Sequence, residues 1–140
     1  CLMRLTRQED YAMRAVLYLA TSPLATNNEI AEAQNIPLEY LIKIMQSLAE
    51  AGIVSTKRGA GGGVSLALPP DKITLLDVIQ AVSGPLAINR CFSNPGECSR
   101  EGTCSIHDEL AGVQGEIAKV LARTNFARLA RAEAKLSRCL

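Results

Sequence analysis

The chain reads as a mainly α fold, a winged helix-turn-helix with a small β-hairpin wing, followed by a long dimerisation helix. Three observations predict it. Two short amphipathic segments meet across the tight turn Asn35-Ile36-Pro37. Two alternating segments flank the glycine-rich run Gly59-Ala60-Gly61-Gly62-Gly63. Near the C-terminus, Ile106, Leu110, Val113, Ile117 and Val120 recur at spacings of 4, 3, 4 and 3, the seam of a helix packed on another helix.

The first helix opens at Thr6-Arg7-Gln8-Glu9, a capping box in which Thr and Glu satisfy each other's backbone N–H groups. Tyr11, Ala12, Ala15, Val16, Leu19 and Ala20 form its apolar stripe, and Ser22-Pro23 stops it. A second box, Thr26-Asn27-Asn28-Glu29, opens a short helix through Ile30, Ala31 and Ala33 to Gln34. The third helix is expected to bury Leu38, Leu41, Ile42, Met45 and Leu48, and Gly52 suits its left-handed end. Strands are expected over 53–57 and 64–68, closed by Pro69-Pro70. Thr74 caps a helix carrying Leu75, Leu76, Val78, Ile79 and Val82, which Ser83-Gly84-Pro85 terminates. The heptad helix spans about two repeats, too few for a free-standing coiled coil but enough for a supported dimer seam. Thr124 is expected to cap a last helix through Phe126, Leu129 and Leu136. The implied organisation is a winged helix-turn-helix over 1–68. A linker helix, a cysteine-rich loop at 90–107 and dimerisation helices follow over 69–140.

The composition suits a core of ordinary size, but an aliphatic one, since 48% of the 140 residues are hydrophobic and Trp is absent. Net charge is only +1, and residues 1–68 carry six Lys/Arg against six Asp/Glu. A nucleic-acid surface must therefore come from placed cations rather than bulk charge. No apolar run is long enough to span a bilayer and no signal-peptide pattern appears, which predicts a cytoplasmic protein without a membrane partner. Met3 reads as the native start, and Cys1 ahead of it and Cys139 in the tail read as functionally inert.

The other three cysteines share one loop with the only histidine: Cys91, six residues, Cys98, five residues, Cys104, two residues, His107. Such clustering in a reducing compartment points to metal or redox chemistry rather than a structural disulfide. Three thiolates and an imidazole can complete a zinc site or ligate an iron–sulfur cluster. The spacing lacks the short C-x-x-C knuckles of structural zinc, and a wide Gly/Ser/Pro loop suits the larger guest. Arg90 and Arg100 can offset its charge. A thiol-based redox sensor and an iron–sulfur electron carrier that ignores DNA remain alternatives. An enzyme is not expected, because no nucleophile–base pair is evident and the histidine is already taken as a ligand.

If the third helix enters a major groove, Leu38, Glu39, Tyr40 and Lys43 face it. Tyr40 and Lys43 can bond phosphates, and Glu39 can accept from a cytosine amino group. In the wing, Lys57 and Arg58 precede Gly59, where backbone can approach a groove wall and Arg58 can enter a narrow minor groove. The glycines sit between strands with no helix start behind them, which excludes a dinucleotide phosphate loop.

MRLTRQEDYAMRAVLYLA, LEYLIKIMQSLAEAGIVSTKRGAGGG and ITLLDVIQAV, together with the cysteine loop, resemble the Rrf2 family of bacterial transcriptional regulators, the group that includes IscR, NsrR and RirA. The resemblance runs from Met3 to about Leu129. It implies a homodimer on double-stranded operator DNA, controlled by an iron–sulfur cluster that senses iron, nitric oxide or redox state. Its three cysteine ligands fall on Cys91, Cys98 and Cys104, and the histidine of the IscR branch falls on His107, which favours 2Fe–2S. The acidic position used by other branches, supplied by the partner subunit, falls on Asp10 and would suit 4Fe–4S. The six-residue first gap is one longer than in IscR-like chains, and Glu39 replaces a small polar residue, so operator sequence is not inherited.

Overall fold

The computed structural model describes residues 4–139, so Cys1 and Met3 and the readings made on them lie outside the described residues. Helix α1 (Arg7–Thr21), α2 (Asn27–Gln34) and α3 (Leu38–Glu50) lead into an antiparallel hairpin of β1 (Val54–Lys57) and β2 (Gly63–Leu66). A 3₁₀ turn (Pro70–Lys72) precedes α4 (Leu75–Ser83), α5 (Arg90–Ser93), α6 (Ser105–Arg123) and α7 (Phe126–Arg138). The fold is the winged helix-turn-helix that the sequence predicts, extended by a long helix.

Both expected capping boxes are present, with Thr6 paired to Glu9 and Thr26 to Glu29, and Thr74 forms a third with Asp77. Each cap satisfies backbone N–H groups that would otherwise be orphaned, worth about 1 kcal/mol. The tight turn works because Asn35 takes the left-handed conformation at φ 52°, which Asn tolerates better than other L residues. Its N–H returns to the α2 carbonyls of Ala31 and Glu32.

In the wing, Val54 pairs with Leu66 and Lys57 with Gly63. The hairpin is not alone: Ala25, in the α1–α2 connection, exchanges both backbone hydrogen bonds with Val64 (3.1 and 2.7 Å). A Cβ on Gly63 would press on the Ala25 carbonyl, and Gly59 and Gly61 have positive φ. The glycine-rich tip is therefore required by the geometry of the hairpin and of the Ala25 backbone beside it. Glycine count alone no longer argues for contact with a groove.

One core joins α1, α2, α3, the hairpin and α4: Ala12, Ala15, Val16, Leu19, Ile30, Leu41, Ile44, Leu48, Ile73 and Val78 are all buried in it. Phe126 of α7 belongs to the same core and is fully buried. It is pinned by backbone hydrogen bonds from Phe126 N–H to the Ile73 carbonyl and from Leu75 N–H to the Thr124 carbonyl, each 3.0 Å. The last helix thus closes back on the N-terminal unit, and its cap is Asn125, not the expected Thr124. Thr124 instead ends α6, its hydroxyl bonding the Val120 carbonyl at 3.2 Å.

Two apolar residues of α3 fall outside the core, against expectation. Leu38 and Ile42 are 40% and 42% exposed, while Ile44 is buried with Leu41, Met45 and Leu48. Leu41, Met45 and Leu48 fix the direction of the buried face; Ile44 falls within it and Ile42 is turned about 100° from Leu41.

Candidate metal centre and nucleic-acid interface

The cysteine loop is held by polar contacts rather than by a core. At its entry, Ile88 N–H donates to Gln114 Oε1 of α6 at 3.0 Å. Asn89 then caps α5, its Oδ1 accepting from Arg90 N–H at 2.9 Å, and its Nδ2 donates to Cys91 Sγ at 3.6 Å. At the tip, Glu97 receives Asn94 Nδ2 at 3.1 Å and Arg90 at 3.5 Å, and Glu101 accepts from Gly96 N–H. The Arg90–Glu97 pair is exposed, so it adds little stability.

Cys104 occupies the N-cap position of α6, which places His107 in that helix's first turn. His107 Nδ1 lies 3.4 Å from Cys91 Sγ, and its ring packs against Phe92 with centroids 4.8 Å apart. Cys91, Cys98, Cys104 and His107 therefore come together, lining a hollow of about 120 Å³ with Asn89, Glu101 and Ile106. All three cysteines are free. Among the described residues no three His, Cys, Asp or Glu side chains converge closely enough to hold a single metal ion. Three thiols and an imidazole arranged around a hollow are a donor set that fits an iron–sulfur group.

Asp10 is not among the residues lining that hollow. It is paired with Arg14 one helical turn on, at 3.0 Å. Arg14 also donates to the Gln34 carbonyl at 2.8 Å and lies 4.9 Å from the centre of the Tyr11 ring, tying α1 to the end of α2.

Leu38, Glu39, Tyr40 and Lys43 are all exposed on α3, and Ile42 and Gln46 share this surface. The sequence pattern assigns Ile42 to the core and gives no role to Gln46. Lys57, Arg58 and Gly59 are exposed at the wing tip. Asn89, Gln114 and Phe92 are likewise absent from the residues that the sequence singles out. Of these, only Asn89, an N-cap residue type two positions before a cysteine, carries a signal. The others depend on tertiary placement.

A family model described as Rrf2, iron-dependent transcriptional regulator, matches residues 5–132. NsrR of Bacillus subtilis strain 168, an HTH-type transcriptional regulator, is 32% identical over 108 residues, 74% of each chain. Among solved structures, CymR, the global cysteine regulator of B. subtilis, is similar at TM-score 0.77 and 25% identity, over 94% of this chain and 98% of its own. IscR of T. potens is similar at TM-score 0.74 and 25% identity, over 93% and 88% respectively. These relatives are regulators rather than enzymes, and among the described residues no helix is long and apolar enough to cross a membrane. The chain belongs to the Rrf2 family of winged-helix, DNA-binding transcriptional regulators.

Proposed function

We propose that this regulator binds operator DNA as a homodimer and that an iron–sulfur cluster, held by Cys91, Cys98, Cys104 and His107, sets its affinity. The observation that carries this reading is the hollow that those four side chains line. When bound, such a cluster supplies redox-active iron that reacts with oxidants and nitric oxide and cross-links its ligands. His107 is the preferred fourth ligand because it already stands 3.4 Å from Cys91 Sγ, which favours 2Fe–2S. Asp10 from a partner subunit, with 4Fe–4S, is the alternative.

The chain's own contacts supply a route from the loop to DNA. Gln114 fastens the loop to α6, α6 packs on α4, and α4 packs on both α1 and α3. A shift of the loop is thereby transmitted to the helix whose exposed face carries Glu39, Tyr40 and Lys43. Residues 1–68 act as the DNA-contacting half, and residues 69–140 as the sensing and dimerising half. The heptad face of α6 is open, with Ile106, Val113 and Val120 all exposed, as a dimer seam requires.

The test is iron and acid-labile sulfide per chain, with a visible spectrum, on protein purified without oxygen. About two of each per chain supports His107 and 2Fe–2S; about four moves the fourth ligand to Asp10. A colourless protein holding zinc, or no metal after anaerobic reconstitution, overturns the cluster and leaves, respectively, a zinc site or thiol chemistry of the loop cysteines as the sensing device.

A further inference from the structure

The charge of this chain is divided unevenly along its length. Residues 119–138 carry six Lys/Arg (Lys119, Arg123, Arg128, Arg131, Lys135 and Arg138) and one acid, Glu133, a net of +5. Residues 1–118 carry nine Lys/Arg and thirteen Asp/Glu, a net of −4. A DNA-binding protein with a negative body must find its cations locally, because phosphate neutralisation supplies most non-specific affinity.

Helix α7 holds them in order. Arg128, Arg131, Lys135 and Arg138 follow one another at spacings of 3, 4 and 3, which confines them to an arc of about 80° along about 15 Å of helix. All four are exposed, and among the described residues none is in an ion pair. Phe126 and Leu129 mark the opposite, inward face, which packs on α1 and the 3₁₀ turn. Glu133 falls about 180° from the centre of the basic stripe.

Helix stability does not account for this arrangement. Lys135 and Arg138 sit in the last turn, where cations favour the helix dipole, but Arg128 lies in the first turn, where a cation opposes it, and Arg131 lies mid-helix, where a cation gains nothing from it. No acid occupies the first turn. The stripe is also fixed relative to the recognition helix, since Phe126 is buried in the same core as Leu41, Ile44 and Leu48 of α3. We propose that the outer face of α7 is an auxiliary grip on the phosphate backbone of duplex DNA, acting with the recognition helix and wing of the same unit and supplying the sequence-independent part of the binding energy.

The test measures binding of a mixed-sequence DNA duplex over a range of salt, for the wild-type chain and two variants. In one, Arg128, Arg131, Lys135 and Arg138 are all replaced by Gln, which keeps helix propensity. In the other, Arg128→Lys, Arg131→Lys and Arg138→Lys preserve charge. The Gln variant is expected to bind more weakly, on the order of tenfold at low salt, with a salt slope shallower by about 0.9 for each phosphate left unneutralised. The Lys variant is expected to keep the wild-type slope, and both are expected to keep the wild-type unfolding midpoint. An unchanged slope in a folded Gln variant overturns the proposal and leaves the stripe to an acidic protein or to solvent. This readout uses neither an operator nor a metal, so it fails or succeeds independently of the cluster.

Discussion

The two halves of this regulator are held together by different physics. From α1 to α4 nearly every element contributes buried aliphatic side chains to one core, whereas from Gln80 to Asn125 no residue is buried at all. The cysteine loop and the long helix α6 keep their shape through caps, a few side-chain hydrogen bonds and one packed face. The DNA-reading unit specifies itself through hydrophobic packing. The C-terminal half, to which the proposed function assigns sensing, is left incomplete, and an incomplete structure is what a ligand or a second subunit can bias.

The sharpest way to break this comparison is Phe126→Ala. If the start of α7 belongs to the packed unit, the truncation opens a cavity in the core that Phe126 shares with Ile73 and costs about 3–5 kcal/mol, read by denaturant unfolding. A loss below about 1 kcal/mol would show that α7 rides on the surface and that the core ends at α4. Thr26→Ala probes the same unit at smaller scale. It removes the hydroxyl that accepts from Glu29 N–H and frees one partner of the box, for an expected loss of about 1 kcal/mol with the DNA-facing side chains untouched.

Much of the packed unit is legible in the sequence because its signals are local. Thr6–Glu9 and Thr26–Glu29 announce helix starts, Asn35-Ile36-Pro37 announces a tight turn, and Gly52 announces a left-handed helix end. The exceptions have physical causes. Leu38 and Ile42 look like core residues by hydropathy, but the helix can bury only one face, and Leu41, Met45 and Leu48 fix it. The bridge from Ala25 to Val64 rests on backbone alone, so no residue type betrays it. In the sensing half, the gathering of Cys91, Cys98, Cys104 and His107 is legible as composition. Of the side chains that arrange them, Asn89 carries a local signal, whereas Phe92 and Gln114 do not, because contacts made across many positions leave no periodicity.

The wing tests the comparison at the DNA surface. Arg58 is exposed at the tip, and nothing in the hairpin depends on its side chain. Arg58→Ala is expected to weaken DNA binding on the order of tenfold at fixed salt while leaving stability unchanged. Unchanged affinity would remove the wing from the interface, and the glycines offer no defence of it, since Gly59, Gly61 and Gly62 are explained by the turn itself and Gly63 by the Ala25 backbone against it.

The smallest expected effect on stability is also the most informative about the sensing half. Cys98 is exposed, so Cys98→Ser should change the unfolding free energy by no more than about 0.5 kcal/mol. Yet its thiol lines the hollow with Cys91, Cys104 and His107, so on the proposed function the same variant should fail to hold iron and show no visible absorbance. The two readouts must separate if the loop is organised for a ligand and not for packing. Full retention of iron would take Cys98 out of the ligand set. A large loss of stability in metal-free protein would mean that the loop carries structural weight its exposure does not show, and the contrast between the two halves would fall with it.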